Sequence, residues 1–150
     1  MAKTKNKYSY PSERFEKMTY TESPAHVGPL KHAVDFIVTE GTSVKAADDG
    51  VVVDVKDDSD SGSTEKRSEG WGNYIEIKHA HGEYSEYEHL KKDSARVKIG
   101  DKIKRGQIIA ESGATGWIAH LGPHLHFMVG KYGKTPKNYQ TLQVVWISSR

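Results

Sequence analysis

A chain of 150 residues is long enough for one domain with a real core. Its 22 basic and 20 acidic side chains nearly cancel, and no basic run is interleaved with stacking aromatics, which argues against nucleic acid as a partner. The absence of cysteine excludes disulfides, thiolate metal sites and cysteine nucleophiles, and leaves His with Asp or Glu as transition-metal donors, a set suited to zinc.

No apolar stretch approaches the roughly 18 residues of a membrane helix, so no membrane span is expected. The N-terminus is basic but lacks the apolar segment of a secretory signal, so no leader is expected within this sequence. Residues 1–29 read as an N-terminal arm. Within it, Pro11 to Met18 can form one helical turn capped by Ser12. The alternative is an irregular arm that lays Tyr8, Tyr10 and Tyr20 over the domain. Pro24, Gly28 and Pro29 force turns before the first clear strand.

From Leu30 the pattern is β, and residues 30–150 read as the main domain. Val34 and Phe36 share one strand face, with Asp35 on the other. Val51, Val53 and Val55 alternate with Val52, Asp54 and Lys56. Residues 57–72 are rich in Ser, Asp, Gly and Glu and read as a long loop. Tyr74 to His79 alternates again, His81–Gly82 turns the chain, and residues 83–90 return with Tyr87 and His89 on one face. Glu88 would then face away from His89. Residues 142–147 read as a closing strand. Gly41-Thr42-Ser43-Val44-Lys45 followed by Gly50 echoes Gly100-Asp101-Lys102-Ile103-Lys104 followed by Gly106, which suggests a sheet folded from two related halves. No long helical periodicity appears. The expected fold is all-β with antiparallel sheets and few or no helices.

Three stretches hold the chemistry: Lys31-His32-Ala33-Val34-Asp35, Tyr87-Glu88-His89-Leu90 and Gly122-Pro123-His124-Leu125-His126-Phe127. On a strand, His124 and His126 project from one face and Leu125 and Phe127 from the other. A zinc hydrolase needs about three protein ligands and an open position for water, with a His nearby to move protons and stabilise an oxyanion. His79 reads as a buried structural histidine, His81 as a turn residue and His120 as a loop histidine. Met128 is expected to pack. Trp71, Tyr74 and Trp117 are candidates for walling a groove.

With Gly72-Asn73-Tyr74, Gly100-Asp101, Gly106-Gln107 and Ser112-Gly113-Ala114-Thr115-Gly116 added in order, the chain resembles the lysostaphin-type (LytM-like) zinc metalloendopeptidases from about Leu30 to Val129. The resemblance implies an antiparallel β fold with a cleft, like a duplicated barrel-sandwich hybrid, and zinc-dependent cleavage of peptide bonds in bacterial peptidoglycan. It implies work at the cell envelope or outside the cell. Carried over by position, it implies Asp35 and His126 as zinc ligands and His89 and His124 as the catalytic pair.

The sequence departs from the family's His-x-Gly-x-Asp pattern, because Lys31 stands at the His position and Ala33 at the Gly position. His32 is taken as the third ligand, reaching the metal through a local bulge or turn. His26 folding back past Gly28–Pro29 is an alternative, and so is an inactive binding or regulatory module in which Lys31 pairs with Asp35. A biotinyl- or lipoyl-carrier barrel is a rival from another class, carried by residues 97–106, and it leaves the histidines unexplained.

Overall fold

The computed structural model describes residues 2–20, 28–118, 122–135 and 138–147. Among these residues there is no α-helix, only short 3-10 turns. The main sheet contains β2 (Lys17–Thr19), β3 (Val34–Ile37), β5 (Gly50–Lys56), β7 (Tyr74–Lys78), β8 (Tyr84–Glu88), β9 (Lys102–Ile103), β12 (Leu125–Lys131) and β13 (Gln140–Thr141). Its strands run β2-β3-β12-β8-β7-β5-β9, with β13 beside β12, and every pairing is antiparallel. The all-β expectation holds.

Period-two alternation gives this sheet two different faces. One cross-strand row reads Val34, Phe127, Tyr87, Ile75 and Val55, and all but the partly buried Val55 are fully buried. This face packs on β4 (Ser43–Lys45), β10 (Ile108–Glu111) and the segment holding Ala46 and Ala47. The two similar segments of the sequence meet directly: β4 pairs with β10, and β5 pairs with β9. Each copy therefore completes the other.

The N-terminal arm is built in. β1 (Lys3–Tyr8) pairs in parallel with β14 (Gln143–Trp146), the expected closing strand. Tyr10 packs on Phe15, Phe36 and Trp146, and Tyr20 accepts a hydrogen bond from the Trp146 indole. The helical turn over Pro11 to Met18 does not form. Ser12 Oγ donates to the Arg14 carbonyl instead, and β2 begins at Lys17, because pairing with β3 outweighs one marginal turn. Residues 57–72 are more ordered than a plain loop: β6 (Gly62–Ser63) pairs with β11 (Gly116–Trp117), and a 3-10 turn spans Lys66–Trp71 around the buried Ser68.

Buried polar groups tie arm to sheet. Glu83 is fully buried and accepts from the backbone N–H of Lys5 at 2.6 Å, that of Asn6 at 3.2 Å and the Tyr8 hydroxyl at 2.9 Å. Burial pushes the Tyr8 phenol well above its ordinary range. His79 is buried, as expected, between the Asp49 carbonyl and Ser85 Oγ, both at 2.7 Å. Replacing Glu83 by Leu removes the acceptor of three donors, of which the Tyr8 hydroxyl is buried and the Lys5 and Asn6 N–H groups partly so, and should cost about 3 kcal/mol, lowering Tm by about 6–12 °C in thermal unfolding. A loss below about 1 kcal/mol would show that the arm is not anchored through this carboxylate.

Candidate active site

The second face of the sheet carries the chemistry. Its central row runs Thr19, Asp35, His126, Glu88, Tyr74 and Lys56, each directly opposite the next across neighbouring strands. Asp35 is completely buried between two strands, and His126 Nδ1 lies 3.2 Å from its Oδ1. His124 precedes β12, with Nδ1 donating to the Gly122 carbonyl at 2.7 Å and Nε2 lying 3.5 Å from the same Asp35 oxygen. Two imidazoles thus meet one carboxylate.

His89 joins them by breaking the strand alternation. Tyr87 faces the core, so a regular strand would send His89 to the core as well. Its backbone is instead left-handed, with φ of 68°, which turns the ring onto the opposite face. There it lies 4.5 Å from the His124 ring and 5.8 Å from the His126 ring, centroid to centroid. His89 Nδ1 donates to the Thr115 carbonyl at 2.7 Å. Gly116, with φ of 84°, supports this: a Cβ there would come within 2.8 Å of Gly72 Cα and 3.4 Å of His89 Nδ1. Asp35, His89, His124 and His126, predicted from four separate positions, are brought together.

Electrostatics differ among the rings. Burial, followed by the positive charge of His124 and His126, pushes His89 down to about 4, so it is neutral near pH 7. Burial also works against protonation of His126, but Glu88 and then Asp35 outweigh it and hold His126 above the usual imidazole range. Glu88 is the neighbour that strand alternation hid. It was expected to face away from His89, yet it lies directly across from His126, because His89 and not Glu88 leaves the regular pattern. A positive φ at a non-glycine residue carries no mark in the sequence.

Beyond Glu88 the next row on this face holds Met128, Glu86, Glu76 and Asp54. Met128 is buried, as expected. Burial, and then the neighbouring Glu88, raises Glu86 well above the carboxylate range. Tyr74 donates to Asp54 Oδ2 at 2.9 Å, and Trp117 is half-buried in β11. Trp71 is exposed under the Arg67 guanidinium.

The family model described as peptidase family M23 matches residues 30–138. The chain belongs to peptidase family M23. An uncharacterised metalloprotease of Buchnera aphidicola is 38% identical over 130 residues, covering 85% of this chain and 29% of its own length. The peptidoglycan DD-endopeptidase ShyC of Vibrio cholerae is 31% identical over 139 residues, with coverages of 86% and 28%. Among solved structures, the catalytic domain of lysostaphin from Staphylococcus simulans superposes with a TM-score of 0.58 at 31% identity, covering 83% of this chain and 87% of that one. A zinc-containing peptidase from Vibrio cholerae gives 0.59 at 32% identity, covering 83% and 36%. This chain spans less than a third of the length of the curated relatives named here.

The donor set suits the metal of an M23 peptidase in part. Two ligands of one tetrahedral zinc ion stand about 3.3 Å apart, so the 3.2 Å between His126 Nδ1 and Asp35 Oδ1 serves a shared cation as well as a hydrogen bond. Among the described residues no three His, Asp or Glu side chains form a complete metal cage. His32 is half-buried in the turn before β3. Its backbone N–H bonds Thr141 Oγ1, and burial, then Lys31, holds its imidazole below the usual range. It is thus not gathered with Asp35 and His126 into such a cage. His26 and His120 lie outside the described residues. Lys31 is exposed and lines a surface hollow with Gly28, Pro29, Gln140 and Thr141, while the ion pairs recorded for Asp35 are with His124 and His126. The pairing of Lys31 with Asp35, on which an inactive module would rest, does not form.

Gly116→Ala should strain the left-handed turn and crowd Gly72, costing about 3 kcal/mol and displacing the His89 ring. Unfolding measurements together with His89 imidazole NMR signals check this. Unchanged ring signals and a cost below about 1 kcal/mol would mean that Gly116 does not hold His89.

Proposed function

We propose that this chain is a zinc-dependent metalloendopeptidase that hydrolyses peptide bonds of bacterial peptidoglycan, in a stem or cross-bridge, at the cell envelope or outside the cell. On this reading residues 30–150 are its peptidase unit and residues 1–29 an N-terminal arm, of which Lys3–Thr19 pair and pack against that unit. The observation that carries the reading is the meeting of His89, His124 and His126 around the buried Asp35 on one sheet face. The names of the relatives support the substrate: ShyC is a peptidoglycan DD-endopeptidase, and lysostaphin is described as an antimicrobial peptidase.

Asp35 and His126 would hold the metal; His32, which stands apart from them in the turn before β3, would have to swing in as third ligand, with His26 as its rival for that place. Bound zinc supplies Lewis-acid polarisation of the peptide carbonyl and lowers the pKa of a water toward ~7. The remaining work falls to two imidazoles. His89 and His124 each commit Nδ1–H to a backbone carbonyl, so Nε2 is the ring atom each would bring to the reaction, and that of His124 already faces Asp35 at 3.5 Å. His89, neutral near pH 7, presents an acceptor at Nε2 to orient water and take its proton. His124 Nε2, once protonated, donates to the oxyanion of the tetrahedral intermediate and is steadied by Asp35. The β-sheet backbone fixes Asp35 and His126, so little reorganisation is needed.

Elemental analysis of the purified chain should find about one zinc per molecule, removed by a chelator. The chain should release fragments from purified cell walls. His126→Ala should abolish both, whereas His89→Ala should keep zinc and lower hydrolysis about 10²–10⁴-fold. Comparing zinc content of His32→Ala and His26→Ala identifies the third ligand. A metal-free chain that leaves walls intact would refute the reading.

A further inference from the structure

The lysines of the arm strand have no part in hydrolysis. In β1, Lys3, Lys5 and Lys7 are exposed, while Thr4 and Tyr8 between and beyond them are buried. Strand alternation therefore lines one side of the arm with ammonium groups. Hydrogen bonds fix this strand to one end of the main sheet. Asn6 Nδ2 donates to the Ala80 carbonyl at 2.8 Å, and the Arg105 guanidinium donates to the Lys7 carbonyl at 3.1 Å.

The second observation lies at that same end. Ala80 lines a hollow of about 570 Å³ together with Val51, Ile103, Lys78, Lys102 and Lys104. Lys78 and Lys102 stand directly opposite Val51 on the two strands flanking it, and Val51 is 38% exposed. The turn that leads into β9 adds Ile99, which lies between Lys98 and Lys102 and is 62% exposed. Gly100, with φ of 95°, meets the backbone demand of this turn, so its geometry does not call for an apolar side chain at Ile99. The Gly100 N–H donates to the Val52 carbonyl at 2.8 Å and holds the turn against β5.

We propose that this end of the molecule docks on an anionic lipid membrane. Among the described residues, Lys3, Lys5, Lys7, Lys78, Lys102 and Lys104 form no ion pair. The carboxylates nearby are committed elsewhere. Asp48 pairs with Arg105 at 2.8 Å, Asp49 accepts the Arg105 backbone N–H, Asp101 faces Lys98 at 3.7 Å, and Glu83 is buried under the arm. Six unpaired ammonium groups complement a surface of lipid phosphates, and each one near such a surface strengthens binding about fivefold. Ile99 and Val51 favour lipid over a water-soluble polyanion, because the acyl boundary removes apolar area from water and a soluble polymer does not. Contact of this kind is peripheral and needs no spanning segment. Tyr74 of the catalytic row lies four residues before Lys78 on β7, about 13 Å along the strand. Docking through the lysine end therefore sets the histidines back from the lipid.

The docking surface does not depend on the peptidase reading, and binding alone tests it. The full chain is sedimented with vesicles of phosphatidylcholine and with vesicles that also contain phosphatidylglycerol. It should bind the anionic vesicles only, and salt should weaken the binding. Lys3→Gln, Lys5→Gln and Lys7→Gln together should weaken it about 10²-fold, and so should the same change at Lys78, Lys102 and Lys104. All six side chains are exposed, so circular dichroism and thermal unfolding should match the wild type. Ile99→Ser should weaken binding several-fold, while Ile99→Leu should preserve it. Binding that ignores vesicle charge, survives both triple substitutions, or is unaltered by Ile99→Ser would overturn the proposal. In the last case a soluble polyanion, assayed with polyphosphate, would replace lipid as the partner.

Discussion

The site depends on one cross-strand pair, Asp35 against His126. A carboxylate completely removed from water is costly unless charge-assisted hydrogen bonds or a cation meet it. The antiparallel register of β3 and β12 meets that cost by setting an imidazole directly opposite. The same register sets Phe127 against Val34 on the other face. A slip of one residue would therefore expose the core and bury the site's polar groups among apolar ones. Packing thus enforces the chemistry: the core selects the register, and the register builds the pair.

His89 requires a different device. Strand pairing carries the chain up to Glu88 and would deliver the next side chain to the wrong face. A left-handed backbone at a non-glycine residue costs roughly 1–3 kcal/mol, and it persists here because several contacts fix it. The Thr115 carbonyl holds Nδ1, and the Leu90 backbone N–H is bonded to the Asn73 carbonyl just beyond. Asn73 also donates to the Leu90 carbonyl through its side chain and to Thr115 Oγ1 through its backbone N–H. The Gly72-Asn73 and Thr115-Gly116 segments therefore act as one clamp on the residue after Glu88.

These two devices explain what could be read beforehand. The faces of Asp35, His124 and His126 follow from alternation, since the pleat fixes which side chains share a face, while their roles came from the family resemblance. So do the core row of Val34, Phe127, Tyr87 and Ile75, the buried His79 and the closing strand. The two similar segments showed that a duplicated unit existed, but their mutual pairing of β4 with β10 and β5 with β9 is a tertiary fact. The place of His89 came from family resemblance, while strand periodicity alone assigned it the wrong face and hid Glu88. The arm from Lys3 to Thr19 was hard to read because its strands are edge pieces, stabilised by Glu83, Phe36 and Trp146 far away in sequence. A polar run such as residues 57–72 looks unstructured for the same reason: its order comes from the partner strand β11 and the side chain of Asn73.

The net charge of +2 conceals a strongly polarised molecule. Asp35, Glu88, Glu86, Glu76 and Asp54 all lie on one sheet face within two neighbouring rows, and the opposite face carries no charge in its core row. With an apolar layer behind them, the ionised groups of this set are poorly screened and focus a negative potential along the face, while burial holds Glu86 and Glu76 above the usual carboxylate range. Such a field favours a cation at the Asp35–His126 pair. It also explains why neighbouring rings shift in opposite directions: Glu88 and Asp35 raise His126 above the usual imidazole range, whereas burial lowers His89. Composition counts charges, but the pleat decides on which side of the sheet they collect.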